Sequence, residues 1–137
     1  MGKKSLSKPK TKEEGKGLVL VVEDEPIMRK IAVKVLDNAG YDVILAKDGC
    51  EGVNLFKKHH KKIILVLLDL VLPKKQGKDV YIEIKNINPN VNVLLNTGFS
   101  KDKKVRELFQ MGVKHFIEKP YSLEELATAV DKAIEGL

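Results

Sequence analysis

Four segments of this chain end in side chains that together have the chemistry to handle a phosphoryl group. Glu23 and Asp24 follow the apolar run LVLVV, and Asp69 follows IILVLL. Thr97 follows VNVLLN, and Lys119 follows KHFIE. Acidic side chains can hold a divalent cation, and a carboxylate can attack phosphorus as a nucleophile. A hydroxyl and an ammonium can hold the transferred group. Because open parallel sheets bind ligands at the carboxyl ends of their strands, the spacing predicts one shared site.

The predicted site holds three carboxylates, and their mutual repulsion implies a cation. Two unit charges 4 Å apart repel by about 4 kcal/mol at an effective dielectric constant of 20. Mg²⁺ would remove that conflict, because it accepts a few carboxylate ligands, keeps several waters and bridges phosphate oxygens. Glu25 is the next acid along the chain. We interpret it as a helix cap beside Pro26 rather than as a metal ligand.

Apolar runs that alternate with amphipathic segments must position these residues. The runs that predict strands are 18–22, 41–46, 63–68, 91–95 and 113–117. Between them, and after the last, apolar residues recur at helical spacing. Asp48 with Glu51, and Ser122 with Glu125, predict capping boxes at two helix starts. Five successive βα units predict an α/β fold with a parallel sheet covered by helices on both faces.

Composition and charge exclude several classes of protein. The 137 residues fit one domain, and 43% of them are hydrophobic. No apolar run approaches the roughly 20 residues of a membrane span, and the N-terminus lacks a secretory signal. With one cysteine, Cys50, no internal disulfide can form. We therefore expect a cytoplasmic protein without a membrane partner. Of the net charge of +6, residues 1–17 contribute +4 through six lysines and two glutamates, which predicts a flexible basic leader or linker before a domain at 18–137.

The motifs VLVVEDEP, LLDLVLPKKQG, LLNTG and GVKHFIEKPYSLEEL together resemble the receiver domain of bacterial two-component response regulators. The resemblance covers residues 18–137, with Asp69, Pro73 and Gly77 at the family's D-x-x-x-P-x-x-x-G positions. It implies a flavodoxin-like, doubly wound, five-stranded parallel sheet of order 2-1-3-4-5 with five helices.

The resemblance also implies a role for each site residue. Asp69 would be the phosphoacceptor, and Thr97 and Lys119 would stabilise the phosphoryl group. Mg²⁺ would be the cofactor. Its ligands would be the carboxylates of Glu23, Asp24 and Asp69 and the backbone carbonyl of Val71. Thr97 and Phe116 would form the switch, and Pro120 would follow a cis peptide bond that helps to aim Lys119. The alternative for Phe116 is an ordinary core residue.

Three departures from the family pattern bear on the site. Glu23 replaces the commoner aspartate, which preserves the charge but lengthens the reach of the carboxylate. Gly98 follows Thr97 where alanine is frequent, which would loosen that loop. Phe99 is large and flanks the phosphorylation site together with Val71, so we predict a long-lived phosphoryl group.

Other classes of protein fit the sequence less well. A haloacid-dehalogenase-type hydrolase needs a second acid two residues after its nucleophile, but Val71 stands there. A nucleotide- or flavin-binding protein would have a glycine-rich loop after the first strand, where this chain has the acidic EDEP. A receiver that has lost phosphorylation and only binds partners is disfavoured by the intact acids, Thr97 and Lys119.

We expect an acceptor that catalyses its own phosphorylation and dephosphorylation rather than an enzyme with a separate substrate. Its phosphoryl donor would be the phosphohistidine of a sensor histidine kinase or of a histidine phosphotransfer domain. Nothing resembles a DNA-reading helix-turn-helix, so we expect no nucleic-acid partner. The sequence leaves two contexts open, a stand-alone regulator and a receiver module of a hybrid sensor histidine kinase. It also leaves open whether phosphorylation causes a homodimer to form.

Overall fold

Strands and helices alternate along the chain in this computed structural model, which describes residues 15–98 and 103–135. The strands are β1 (Leu18–Val22), β2 (Asp42–Ala46), β3 (Ile63–Asp69), β4 (Val93–Thr97) and β5 (His115–Glu118). The helices are α1 (Pro26–Asn38), α2 (Gly49–His59), α3 (Gly77–Ile87), α4 (Lys103–Gln110) and α5 (Leu123–Glu135).

The five strands form a parallel sheet in the order β2-β1-β3-β4-β5. This confirms the predicted flavodoxin-like, doubly wound fold with five helices. The order reverses between β1 and β3, since β2 lies on one side of β1 and β3 on the other. In sheets of this type, ligands bind in the crevice outside the carboxyl ends of the strands at that point.

Each face of the sheet has its own hydrophobic core, because successive side chains of a strand point to opposite faces. Leu20 and Leu68 pack with residues of α2, α3 and α4, whereas Val21 and Leu67 pack with residues of α1 and α5. All four side chains are at most 2% exposed. Burial of each such side chain contributes about 1.5–3 kcal/mol. The two cores therefore hold the strand ends in fixed relative positions.

Of the two predicted capping boxes, Ser122–Glu125 is complete, whereas in the Asp48–Glu51 pair Glu51 bonds the amide of Lys47 and not that of the N-cap residue Asp48. The Asp48 side chain accepts from the Glu51 backbone amide at 2.8 Å, and Glu51 Oε1 accepts from the amide of Lys47 at 2.7 Å. Ser122 Oγ accepts from the Glu125 amide at 3.0 Å, and Glu125 Oε1 accepts from the Ser122 amide at 2.7 Å. The bonds from the Glu51 and Glu125 amides satisfy donors that have no partner within the first turn of a helix.

Two strands begin two residues later than the apolar pattern predicts. Val91 lies in a turn, where its amide donates to the Asn88 carbonyl at 3.0 Å. Val113 closes α4, because its amide donates to the Leu108 carbonyl at 3.0 Å after Gly112 with its φ of +116°. Both valines contribute to the core without belonging to a strand. β4 ends at Thr97 and β5 at Glu118.

Among the described helices, none combines the length and the apolar character that a membrane-spanning segment requires.

Candidate functional site

The carboxyl ends of β1, β3, β4 and β5 bring the predicted site residues together. Glu23 and Asp24 directly follow β1, and Asp69 is the last residue of β3 rather than the residue after it. Thr97 ends β4, and Lys119 directly follows β5. Parallel pairing aligns these ends, since Asp69 lies opposite Asn96 in the register of β3 and β4.

Three acidic side chains form a cluster at this edge. Glu23, Asp24 and Asp69 each offer one carboxylate oxygen, and these oxygens lie within 4.8 Å of one another. Asp69 is 4% exposed and Glu23 is 2% exposed, whereas Asp24 is half-buried. Burial of like charges at this distance is costly unless a cation neutralises them.

Lys119 is the cation that faces this cluster. Its Nζ donates to Asp69 Oδ2 at 3.1 Å and lies 3.3 Å from both Glu23 Oε1 and Glu25 Oε1. Burial alone would lower the pKa of the Lys119 ammonium. The attraction of Asp69 and Glu23 outweighs burial, so the pKa lies above the ordinary lysine value and the group stays charged.

Among the described acidic residues, Glu23 has the most strongly shifted pKa. Burial in the fold, followed by the negative charge of Asp69, raises the pKa of the Glu23 carboxyl from 4.5 to about 7. The Glu25 backbone amide opposes this shift by donating to Glu23 Oε2 at 3.2 Å. The Glu23 carboxylate is therefore poised to gain stability from an approaching cation.

Glu25 caps α1 by position but not by its side chain. It is the residue before the first helical residue, and its side chain makes no capping hydrogen bond. Instead its carboxylate reaches Lys119. The interpretation of Glu25 as a helix cap is therefore correct for its backbone only.

Arg29 holds the acidic loop after β1 in place, a role the sequence analysis missed. Its Nη1 donates to the carbonyl of Glu23 at 2.9 Å and to the carbonyl of Asp24 at 2.8 Å. The available signal was its spacing, because a residue one helical turn after the cap can reach back over the helix start.

The loop between β3 and α3 folds tightly against Asp69. The Val71 backbone amide donates to Asp69 Oδ1 at 3.2 Å, and the Val71 side chain is 55% exposed. The Gly77 amide donates to the Leu70 carbonyl at 2.9 Å. A Cβ at Gly77 would lie 2.4 Å from the Asp69 carbonyl oxygen, so this approach requires glycine. The predicted ligand atom, the Val71 carbonyl, belongs to this loop.

Thr97 and Lys119 lie on neighbouring strand ends. Thr97 is 1% exposed, and its carbonyl accepts from the Lys119 amide at 2.8 Å. The Lys119–Pro120 peptide bond is cis. The structure thus brings both residues predicted to stabilise a phosphoryl group to the edge that carries Asp69.

Phe116 is a surface residue on β5. Its side chain is 42% exposed and meets Phe109 of α4 edge-to-face, with ring centroids 5.5 Å apart. The alternative that Phe116 is a core residue is therefore wrong. The apolar run suggested a core position for Phe116. However, β5 is the edge strand, and alternate residues along it are exposed.

Asn96 and Tyr121 are two further polar residues beside the cluster that the sequence analysis missed. Asn96 is 2% exposed, and its Nδ2 donates to Glu23 Oε1 at 3.1 Å. Burial and the charge of Glu23 raise the pKa of Tyr121 to about 12. The available signal for Asn96 was an amide inside the otherwise apolar run VLLNT, since buried polar groups need partners.

Two predicted features lie outside the described residues. Phe99, predicted to prolong the life of the phosphoryl group, falls within 99–102, and most of the basic leader falls within 1–14. Gly98 is described, and it is exposed at the end of β4.

The donor set fits Mg²⁺. Three carboxylate oxygens converge within 4.8 Å, and hard oxygen ligands are those that this ion prefers. The buried Asn96 Oδ1 beside the cluster has no hydrogen-bond donor among the described residues. A buried acceptor in that position suits a site that takes up a hydrated ion.

Comparison with known proteins identifies the class that this fold and site define. The family model of the response regulator receiver domain matches residues 19–131. The chain belongs to this family, whose members are receiver domains of two-component signalling systems.

Individual relatives come from several kinds of protein. Sensor kinase CckA of Brucella abortus is 31% identical over 88% of this chain and 13% of its own length. Chemotaxis protein CheY of Thermotoga maritima is 31% identical over 83% of this chain and 94% of its own length. A crystal structure of the CheX–CheY–BeF3–Mg complex from Borrelia burgdorferi is similar with a TM-score of 0.79 and 29% identity. That match covers 83% of this chain and 86% of the matched chain.

The matched share differs between these relatives. The chain spans 13% of the kinase and under half the length of three further curated relatives that it matches, at 45%, 26% and 26%. It spans nearly all of CheY.

Proposed function

We propose that this protein is a phosphoacceptor receiver that takes a phosphoryl group onto Asp69 from the phosphohistidine of a sensor kinase or of a histidine phosphotransfer domain. The convergence of Glu23, Asp24 and Asp69 beside Lys119 carries the proposal. The family places this chain in two-component signalling, and the geometry supplies a nucleophile with charge-stabilising groups around it.

The proposed transfer is an in-line displacement at phosphorus. An Asp69 carboxylate oxygen forms the new O–P bond, while the N–P bond to the donor histidine breaks and the imidazole nitrogen keeps the electron pair. The other side chains form no covalent bonds in this step, so their main contribution to catalysis is to stabilise charge. Lys119 already donates to Asp69, and the Thr97 hydroxyl is proposed to donate to the transferred group.

The residues that would hold Mg²⁺ are Glu23, Asp24, Asp69 and the backbone carbonyl of Val71. When bound, the ion supplies positive charge at the phosphoryl oxygens and relieves repulsion within the acid cluster. The similar CheY complex from Borrelia burgdorferi contains BeF3 and Mg, which supports Mg²⁺ as the cofactor.

The same site would act as a switch rather than as an enzyme with a separate substrate. Attraction of Thr97 to the phosphoryl group would draw the end of β4 inward and let Phe116 leave its exposed position against Phe109. Such a change rearranges the partner-binding surface of α4, β5 and α5 by biasing a two-state element. Phosphorylation-dependent pairing of two copies through this surface belongs to the same proposal.

We propose a stand-alone regulator, with a receiver module of a hybrid sensor kinase as the alternative. We also propose that the protein is cytoplasmic, because ATP-dependent kinases phosphorylate their own histidines in the cytoplasm. An antibody against this domain distinguishes the two by the size of the native protein in cell extracts. A band near 15.3 kDa supports the stand-alone regulator, whereas a much larger band contradicts it.

Intact-mass measurement with a small acyl-phosphate donor tests the proposed function. We expect one Mg²⁺-dependent phosphoryl adduct on the wild type and on the control Asp131→Asn, whose exposed carboxylate lies on α5. Asp69→Asn should show none. Absence of the adduct from folded, Mg²⁺-loaded wild type would reject phosphoacceptor activity and favour a module that only binds partners.

A further inference from the structure

Asn96 is an unexpected residue at its position. The run VLLNT of β4 is buried throughout, and Asn96 is 2% exposed within it. Burial of an amide costs free energy unless hydrogen bonds replace its water. Only one of its two polar atoms has a partner, because Oδ1 has no donor within the described part of the chain. An apolar side chain would be buried at this position without that cost, so the presence of an amide needs another explanation.

The partner of the amide supplies that explanation. Asn96 Nδ2 donates to Glu23 Oε1 at 3.1 Å, a contact between two residues that are each 2% exposed. The other oxygen, Glu23 Oε2, accepts from the Glu25 amide at 3.2 Å. Each oxygen of the carboxylate therefore accepts from a neutral donor, the two donors belonging to different parts of the fold, and Lys119 Nζ also lies 3.3 Å from Oε1.

Glutamate needs such support more than aspartate does. Its side chain has one more rotatable bond, and fixing long side chains in one rotamer costs conformational entropy. Asp24, the neighbouring acid, is shorter and projects from the same loop. A donor fixed in β4 compensates for the longer side chain, because the sheet holds it at a constant distance from Glu23.

We propose that Asn96 is a positioning residue that orients the Glu23 carboxylate for cation binding, and that Asn96 and Glu23 act as a matched pair. The inference rests on the proposed function, since it assigns Glu23 to a metal site. Partners that orient ligating carboxylates are typically worth roughly 10- to 100-fold in metal affinity. We expect an effect of that size only while residue 23 is a glutamate.

A double-mutant cycle tests the pair through the Mg²⁺ dissociation constant, measured by calorimetry on the full chain. Asn96→Leu should raise the Kd about tenfold or more in the wild type. In a Glu23→Asp background the same substitution should change the Kd by less than about threefold, because the shorter carboxylate does not reach the amide. Equal factors in both backgrounds would overturn the proposal and assign Asn96 to the fold alone.

Asn92→Leu is the matched control. Asn92 precedes β4 at its opposite end, and its Nδ2 donates to the Ala133 carbonyl at 2.5 Å. Loss of this amide should lower stability without changing the Kd for Mg²⁺. An equal rise in Kd for Asn92→Leu would show that general destabilisation of β4 weakens the site, and would overturn the proposal.

Urea unfolding without Mg²⁺ separates failure of the pair from failure of the proposed function. If the wild type shows no Mg²⁺ binding, the proposed metal site fails. The unfolding cycle then judges the pair alone: non-additive changes for Asn96→Leu and Glu23→Asp support orientation of Glu23 by Asn96. Additive changes overturn it.

Discussion

Lys119 and a divalent cation would compete for the same carboxylates. Lys119 Nζ lies 3.1 Å from Asp69 Oδ2 and 3.3 Å from Glu23 Oε1. Lys119→Met removes this charge but keeps much of the apolar stem. We expect Mg²⁺ to bind about tenfold more tightly to the variant, equivalent to about 1.4 kcal/mol. Phosphorylation by a small acyl phosphate should nevertheless slow, because the variant lacks the charge that is proposed to stabilise the transferred group.

Calorimetry and the time course of intact mass measure these two effects separately. Lys132→Met, which removes an exposed lysine from α5, is the control and should change neither. Weaker Mg²⁺ binding by Lys119→Met would contradict the competition.

Glu23 makes the stability of the metal-free protein depend on pH. Burial and the charge of Asp69 raise the pKa of its carboxyl from 4.5 to about 7, so the folded state holds the proton more tightly than the unfolded chain does. The stabilisation by this bound proton is complete below a pH of about 4.5, and it is lost as the pH rises through about 7. The loss is at most about 3 kcal/mol.

Urea unfolding between roughly pH 4 and pH 8, without Mg²⁺, measures this dependence. The Glu23→Gln variant should become less sensitive to pH across that range, because it lacks the titrating group. The same slope for both proteins would show that Glu23 does not titrate as its surroundings imply.

The residues of the site differ in how far sequence reveals them. Asp69 and Lys119 follow apolar runs and could be predicted from their placement at strand ends. Asn96 and Arg29 could not, because their roles depend on distances between elements that packing alone determines. The titration of Glu23 likewise depends on burial, which no local pattern gives.

At the scale of elements, the close approach of α3 to β3 positions Asp69. A Cβ at Gly77 would lie 2.4 Å from the Asp69 carbonyl oxygen and 2.8 Å from Leu70 Cα. Because these are backbone atoms, Gly77→Ala must displace the strand end or the start of α3. We expect a loss of about 1–3 kcal/mol in unfolding free energy, as for other overpacked sites, and slower phosphorylation of Asp69.

Gly98→Ala is the matched control for this prediction. A Cβ at Gly98 would meet nothing within 4 Å among the described residues. Unfolding by urea should therefore show little change in this variant. Equal losses for the two substitutions would indicate that the effect at Gly77 does not come from crowding against β3.

Element boundaries are predictable where side chains mark them. Asp48 and Ser122 cap α2 and α5 as their capping boxes indicate. Val91 and Val113 were wrongly placed in strands, since both are apolar and lie in turns that bury them against the core. Hydrophobicity reports burial there, not backbone conformation, which the hydrogen bonds of the turns determine.

At the scale of the whole molecule, cation binding should stabilise the fold. Glu23, Asp24 and Asp69 converge only in the folded state, so Mg²⁺ should bind the folded protein in preference to the unfolded chain. At a Mg²⁺ concentration of 100 times Kd, the gain is about 2.7 kcal/mol. Urea unfolding with and without Mg²⁺ should show this gain in the wild type and a much smaller one in Asp24→Asn. Equal gains would place the cation elsewhere.

The overall topology could be predicted from the sequence because several levels of pattern agree. Near-continuous apolar runs such as β3 require helices on both faces, and right-handed crossovers restrict the order of the strands. The exposure of Phe116 could not be predicted, since it depends on β5 lying at the edge of the sheet beside α4.

We propose that Asp69 itself accepts the phosphoryl group. The most direct measurement is peptide mass mapping after phosphorylation and borohydride reduction, which converts an aspartyl phosphate to homoserine. We predict homoserine at position 69 alone, formed only when Mg²⁺ was present during phosphorylation. Conversion at Asp24 or at any other aspartate, with Asp69 unchanged, would contradict this assignment.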